Sequence, residues 1–141
     1  MSNIERAKEL LAGDITCALV LDETEYTSTK PGIAPMMGFI SDGVNLNGFA
    51  VADRIVGKAA ANLFVLAGIT QVYAKVLSKP ALEFLNEKKV SVSYGELVES
   101  IINRAGTGLC PMEQTVIDVT DPADAYEKLK AKIAEMRAAK N

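Results

Sequence analysis

The sequence predicts an α/β protein: three layers, α/β/α, around a mixed sheet of about five strands. Two observations carry that prediction. Short apolar, strand-like runs alternate along the chain with segments of helical pattern, which implies helices packed on a sheet. The breaks between them are short and fall on glycine, proline and serine, so the connections are those of one compact unit. The chain has 141 residues, of which 49% are hydrophobic, enough to bury a full core. We therefore expect a single domain over 1–141, closed by a C-terminal helix over about 122–139.

The elements follow in order. Ser2 can cap a first helix, Glu5 completes a capping box, and Gly13 can end it. Ile15 to Leu21 is apolar on both faces and reads as a central strand. Glu23 to Thr29 is polar and rich in Thr and Tyr, suiting an edge strand beside it. Pro31-Gly32 breaks the chain, and Ile33 to Ile40 reads as a short helix. The stretch from Asp53 to Gly68 is apolar nearly all round and predicts a central helix, with Asp53 as N-cap and Gly68 as its stop. Gln71 to Leu77 is the next strand. Ser78 and Pro80 open a helix over Ala81 to Lys88. Alternation at Val90, Val92 and Tyr94 marks a half-buried strand. Glu96 to Ile102 gives a helical turn, Asn103 to Glu113 a glycine-rich loop, and Thr115 to Val119 a last strand. Asp121-Pro122 starts the final helix, with Tyr126, Leu129, Ile133 and Met136 as its apolar stripe.

Composition excludes several classes of function. There is no histidine, which removes the usual general base, the commonest metal ligand and any Ser-His or Cys-His pair. Lys and Arg number 15 against 18 Asp and Glu, a net charge of −3, so no basic excess marks a nucleic-acid surface. The N-terminus lacks the apolar core of a signal peptide, and no apolar run approaches the roughly 20 residues that span a bilayer. Cys17 and Cys110 form no close-spaced framework, which fits a reduced, cytoplasmic setting. Cys17 reads as a small buried hydrophobe.

Three segments could carry chemistry. In D-R-I-V-G-K-A-A-A (Asp53 to Ala61), Gly57-Lys58 resembles the end of a phosphate-binding loop. The earlier glycine is missing, however, and Ala59 stands where a Ser or Thr would hold magnesium. Lys58 lies about one turn inside the expected helix, and Arg54, four residues earlier, shares its face. They would then form an anion site with the helix N-terminus, or else run out to solvent. In N-R-A-G-T-G-L-C-P-M-E, Gly106 and Gly108 permit a backbone nest for an anion, with Asn103, Arg104, Thr107, Cys110 and Glu113 close by. A plain connecting loop is the alternative. In Y-A-K-V-L-S, Lys75 suits a solvent-facing position, and Ser78 lies at a strand end where ligands gather, though capping the next helix is its expected job.

Together V-A-D-R-I-V-G-K-A-A-A, V-Y-A-K-V-L-S and I-I-N-R-A-G-T-G-L-C-P-M-E resemble an uncharacterised prokaryotic family, the domain of unknown function 1893. The match runs from about Ile15 to Glu113. The resemblance implies a cytidine deaminase-like fold and brings no established activity. True deaminases carry His or Cys with a Glu two residues on, then P-C-x-x-C, at two helix starts that hold zinc. Here those places read D-R-I-V-G-K and S-K-P-A-L, so no metal and no cofactor are expected. The implied pocket lies where the two helix starts face one cleft, with G-T-G-L-C-P-M-E beside Lys58 and Ser78.

Three functions follow. One is a binding module for a nucleotide or similar small anionic molecule, held by Arg54, Gly57, Lys58, Ser78, Asn103, Arg104, Gly106, Thr107 and Gly108. Another is a metal-independent enzyme, with Lys58 or Cys110 as nucleophile and Glu113 or Asp53 as acid or base. The third is a structural or interaction protein without a ligand. The expected partners are a small anionic ligand and further copies of the chain, the self-association being implied by the resemblance. Nucleic acid and membrane are not expected.

Overall fold

A computed structural model describes residues 1–140; Asn141, the end of the expected domain, lies outside the described residues. The elements are α1 (Asn3–Leu10), β1 (Cys17–Leu21), β2 (Thr24–Ser28), α2 (Ala34–Ser41), β3 (Ala50–Val56), α3 (Lys58–Ala67), β4 (Gln71–Ser78), α4 (Lys79–Glu87), β5 (Ser91–Val98), α5 (Pro111–Val116) and α6 (Pro122–Lys140). The strands form one mixed sheet in the order β2-β1-β3-β4-β5. β1 is antiparallel to both its neighbours, whereas β3, β4 and β5 are parallel. The five-stranded α/β prediction holds.

The layers follow from burial. β1 reads Cys-Ala-Leu-Val-Leu and is buried on both faces, as a strand inside a covered sheet must be. On one face α1 packs over β1 and β3, burying Ala7, Val20 and Ala52. On the other, Leu19, Val51, Ala74 and Leu77 of the sheet meet Phe64 of α3, Leu85 of α4 and Leu129 of α6. The Ser2 hydroxyl accepts from the Glu5 N–H, as the capping-box reading requires. Gly68 ends α3 in the left-handed region at φ 84°.

Three local expectations are corrected. The first turns of the helix expected from Asp53 belong to β3, and α3 begins only at Lys58. A strand buried on both faces and a buried helix are both apolar all round, so periodicity does not separate them; the break at Gly57 does. Asp53 is therefore no helix cap, and Arg54 and Lys58 share no helix face. Glu96 to Val98 form no helical turn but extend β5, pairing with Val76, Leu77 and Ser78 of β4. Thr115 to Val119 is not a strand: Thr115 and Val116 end α5, which Pro111 opens. β3 is thus the strand the sequence hid, and it replaces the one expected near the C-terminus.

Asn62 on α3 is fully buried; its amide donates to the Lys58 carbonyl at 2.9 Å, and its Oδ1 has no partner. A buried acceptor left unpaired is destabilising. Asn62→Leu, similar in volume, is therefore expected to stabilise the protein by about 1 kcal/mol, read as a higher urea midpoint at unchanged m. Among the described residues no helix is long and apolar enough to cross a membrane.

Candidate functional site

Because β3 and β4 are parallel, both end at one edge of the sheet, and each passes directly into a helix. That edge is where parallel α/β sheets place ligands. Ser78 is fully buried there and its hydroxyl accepts from the Ala81 N–H at 3.2 Å, so it caps α4. Ser78→Ala should cost about 1 kcal/mol, seen as a lowered unfolding midpoint.

The start of α3 is built differently. Gly57 precedes it and offers no capping side chain. The cap comes from α5: Glu113 Oε1 accepts from the Lys58 N–H at 2.7 Å and Oε2 from the Ala59 N–H at 3.0 Å. A carboxylate at a helix N-terminus is favoured by the unpaired N–H groups and the helix dipole. Gly57 is in extended backbone at φ −104°, so its role is space and not conformation. A Cβ there would lie 2.5 Å from Glu113 Cδ and 2.6 Å from Oε2. Lys58 reaches the other way, its Nζ donating to the Ile117 carbonyl at 3.0 Å, just beyond α5. Burial pushes the Glu113 carboxyl above its ordinary pKa, while the Ala59 and Lys58 N–H groups and the Lys58 charge draw it back.

Gly57, Lys58 and Glu113 are thus brought together, but the anion at this helix start is the chain's own. Zinc does not suit the place. The donors at the two helix starts are Gly57-Lys58-Ala59 and Ser78-Lys79-Pro80, without thiol or imidazole, and two N–H groups and a lysine repel a cation. Among the described residues no cluster of three Cys, Asp or Glu side chains is placed to hold a metal ion.

Glu113 forms the wall between two open pockets. One, of about 380 Å³, lies between the starts of α3 and α4, with Lys58, Pro80, Leu109 and Ile117 in its lining and Glu83 and Glu87 of α4 on one side. The other, of about 320 Å³, lies at the end of β3 and is mainly apolar, lined by Ile33, Ile55, Ala60, Ile101 and Met112 together with Asp53, Cys110 and Glu113.

Asp53 is the unusual group in this second pocket. It faces Cys17 across the β1–β3 ladder and is only 6% exposed. Burial raises its carboxyl to a pKa of about 7; the Ile55 and Arg54 N–H groups and the Cys17 thiol oppose this, and no cation is among them. Burial and then the Asp53 charge push the Cys17 thiol well above its usual range, so it is inert as a nucleophile. Arg54 lies at the rim of the same pocket. Its Nε donates to the Ile15 carbonyl at 2.8 Å and its guanidinium also reaches the Gly13 carbonyl.

The glycine-rich segment is a small hairpin. Ile102 bridges Leu109, the Cys110 N–H donates to the Ile101 carbonyl at 3.0 Å, and the Asn103 N–H to the Gly108 carbonyl at 2.9 Å. The base of this hairpin, Ile101 and Cys110, lines the apolar pocket, and Leu109 the other. Its tip is occupied with itself: Gly106 N–H donates to Asn103 O, and Thr107 N–H to Asn103 Oδ1. Gly106 and Gly108 have no neighbour close to where a Cβ would sit, and Arg104 is exposed beside them. The C-terminal part of the motif therefore adjoins Lys58, whereas Asn103 to Gly108 are in the lining of neither pocket.

Sequence reasoning singled out Asp53, Gly57, Lys58, Cys110 and Glu113. It missed the pairing of Asp53 with Cys17, the apolar walls, and the capping role of Glu113. One signal for the last was available: a helix preceded by Gly57, with no Ser, Thr, Asp or Asn to cap it, needs an acceptor from elsewhere.

The crystal structure of a DUF1893 family protein from Thermotoga maritima, at 2.70 Å resolution, superimposes with a TM-score of 0.84 at 30% identity, covering 94% of this chain and 91% of that one. A diaminohydroxyphosphoribosylaminopyrimidine deaminase/5-amino-6-(5-phosphoribosylamino)uracil reductase from the same organism is 16% identical with a TM-score of 0.45, over 66% of this chain and 35% of that one. No curated protein sequence matches the chain. The sequence profile of the family described as TM1506, domain of unknown function (DUF1893), matches residues 5–133, and to that family this chain belongs.

Proposed function

We propose that this protein is a small-molecule-binding module whose site is the apolar pocket beneath the β3–α3 turn. The observation that carries the reading is a cavity of about 320 Å³ at the carboxyl end of a parallel strand, with apolar walls and a few polar groups converging on it. Two parallel strands that each pass into a helix at this edge of the sheet support the reading, because ligands gather at such strand ends. The room suits a ring of nucleobase size. The anionic ligand suggested by Arg54 and Lys58 is less well served, because backbone carbonyls engage both side chains and Glu113 fills the α3 N-terminus. Two free cysteines fit the cytoplasmic setting that belongs to this reading.

The test is a thermal-shift panel of nucleobases, nucleosides, nucleotides and simple aromatic rings on the wild type and on Ala60→Leu, which narrows the pocket. Binders should raise the melting temperature of the wild type and lose their effect on the variant. Shifts that persist unchanged in folded Ala60→Leu would overturn the assignment.

One observation favours a second reading, thiol chemistry: Cys110 is half-buried and lines the same pocket as Asp53 and Glu113. Intact-mass analysis with iodoacetamide should then show Cys110 alkylated and Cys17 spared until unfolding. Equal labelling of both thiols in the native protein would remove this reading.

A further inference from the structure

Granting the reading of the apolar pocket as the binding site, we propose that it selects a compact organic cation, an amine or amidine on an apolar body, with Asp53 accepting the cationic N–H groups. Asp53 is nearly enclosed by protein yet lines a pocket open to solvent. A buried carboxylate without a counter-ion is costly, and a ligand that brings the missing charge recovers that cost on binding.

Within β3 the Ile55 and Arg54 N–H groups donate to the Asp53 carboxyl, and no cation pairs with it. From β1, Asp53 meets the Cys17 thiol, which stays neutral. From α5, Glu113 adds a second carboxyl, whose two oxygens are already held by the Lys58 and Ala59 N–H groups. From the hairpin comes Cys110, and α3 supplies uncharged Ala60. The one cation at the rim, Arg54, is anchored on the Ile15 and Gly13 carbonyls. Lys58 lines the other pocket and is directed to Ile117. An anion entering here would meet two carboxyls, and the one positive group of the lining, Arg54, already donates to two backbone carbonyls. A cation meets an acceptor set in apolar walls, where a charge pair is screened little by solvent.

The balance of protons follows. Burial raises the Asp53 carboxyl to a pKa of about 7, and a permanent cation binds its ionised form. Binding therefore releases a proton below pH 7, and affinity rises with pH until the carboxyl is fully ionised.

Benzamidine, benzamide and benzoate, nearly equal in shape and differing in charge, test this directly by calorimetry on the wild type and on Asp53→Asn. At pH 8 benzamidine is expected to bind the wild type at least about tenfold tighter than benzoate, and to weaken about tenfold between pH 8 and pH 6. In Asp53→Asn benzamidine should lose most of its advantage over benzamide, and most of the pH dependence should go with it. Equal binding of all three to the wild type, abolished by Ala60→Leu, would overturn the charge selection and leave the pocket assignment standing. No binding by any of them, together with a blank ring panel, would overturn both.

Discussion

Asp53→Asn is expected to be more stable than the wild type at pH 8, with the advantage disappearing towards pH 4. The carboxyl has a pKa of about 7 in the fold against an ordinary 3.8. Between those values the folded protein holds a proton that the unfolded chain has released. Stability linked to this group is therefore complete below pH 4, falls as pH rises to 7, and is flat above. About 3 pK units correspond to about 4 kcal/mol. Asparagine resembles the protonated acid in shape and never ionises, so it removes that slope. Glu113, also raised, gives a smaller slope of the same sign that remains in the variant. Urea unfolding of both proteins from pH 4 to pH 8 gives the measurement. Parallel curves would show that Asp53 is not ionising under strain.

The second large effect is a coupling. Glu113→Ala leaves the Lys58 and Ala59 N–H groups of α3 without their acceptor in a largely enclosed site, and should cost about 2–3 kcal/mol. Gly57→Ala should cost nearly as much by another route. The added methyl takes the space of the Glu113 carboxylate, which must swing away and surrender both hydrogen bonds. Extended backbone accepts alanine readily, so the substitution has little other reason to be harmful. The double variant should consequently be about as stable as Glu113→Ala alone, a positive coupling of about 2 kcal/mol in a double-mutant cycle. Additive losses would show that Gly57 serves something other than the carboxylate.

These two positions also mark what the sequence can and cannot disclose. Local chemistry was legible: Ser2 and Ser78 cap the helices they precede, Gly68 stops α3, and the polar Thr24–Ser28 run is an edge strand. β3 was not, because a strand covered on both faces loses the alternation that identifies a strand, and Asp53-Arg54 imitated a helix start. Thr115 and Val116 have β-branched side chains that favour a strand, yet Pro111 and the bond from Glu113 to α3 hold them in a helix. Gly57, Lys58, Cys110 and Glu113 stand out in the sequence, and the fold brings Gly57, Lys58 and Glu113 together and sets Cys110 in a pocket lining with Glu113. The sequence does not show where Arg54 and Lys58 reach: they donate to the carbonyls of Ile15, Gly13 and Ile117. Such long-range engagements leave no local pattern.

The distant cap on α3 has a consequence for how the chain is made. Glu113 follows Lys58 by 55 residues. On a ribosome adding roughly 5–20 residues per second, the first turn of α3 waits about 3–11 seconds for its acceptor. Leu129, on the helix that shields α3, comes later still. Nascent chains stalled after β5 should hold a paired sheet beside an unfinished, apolar helix, and arrest there should leave them dependent on chaperones until the last third of the polypeptide arrives.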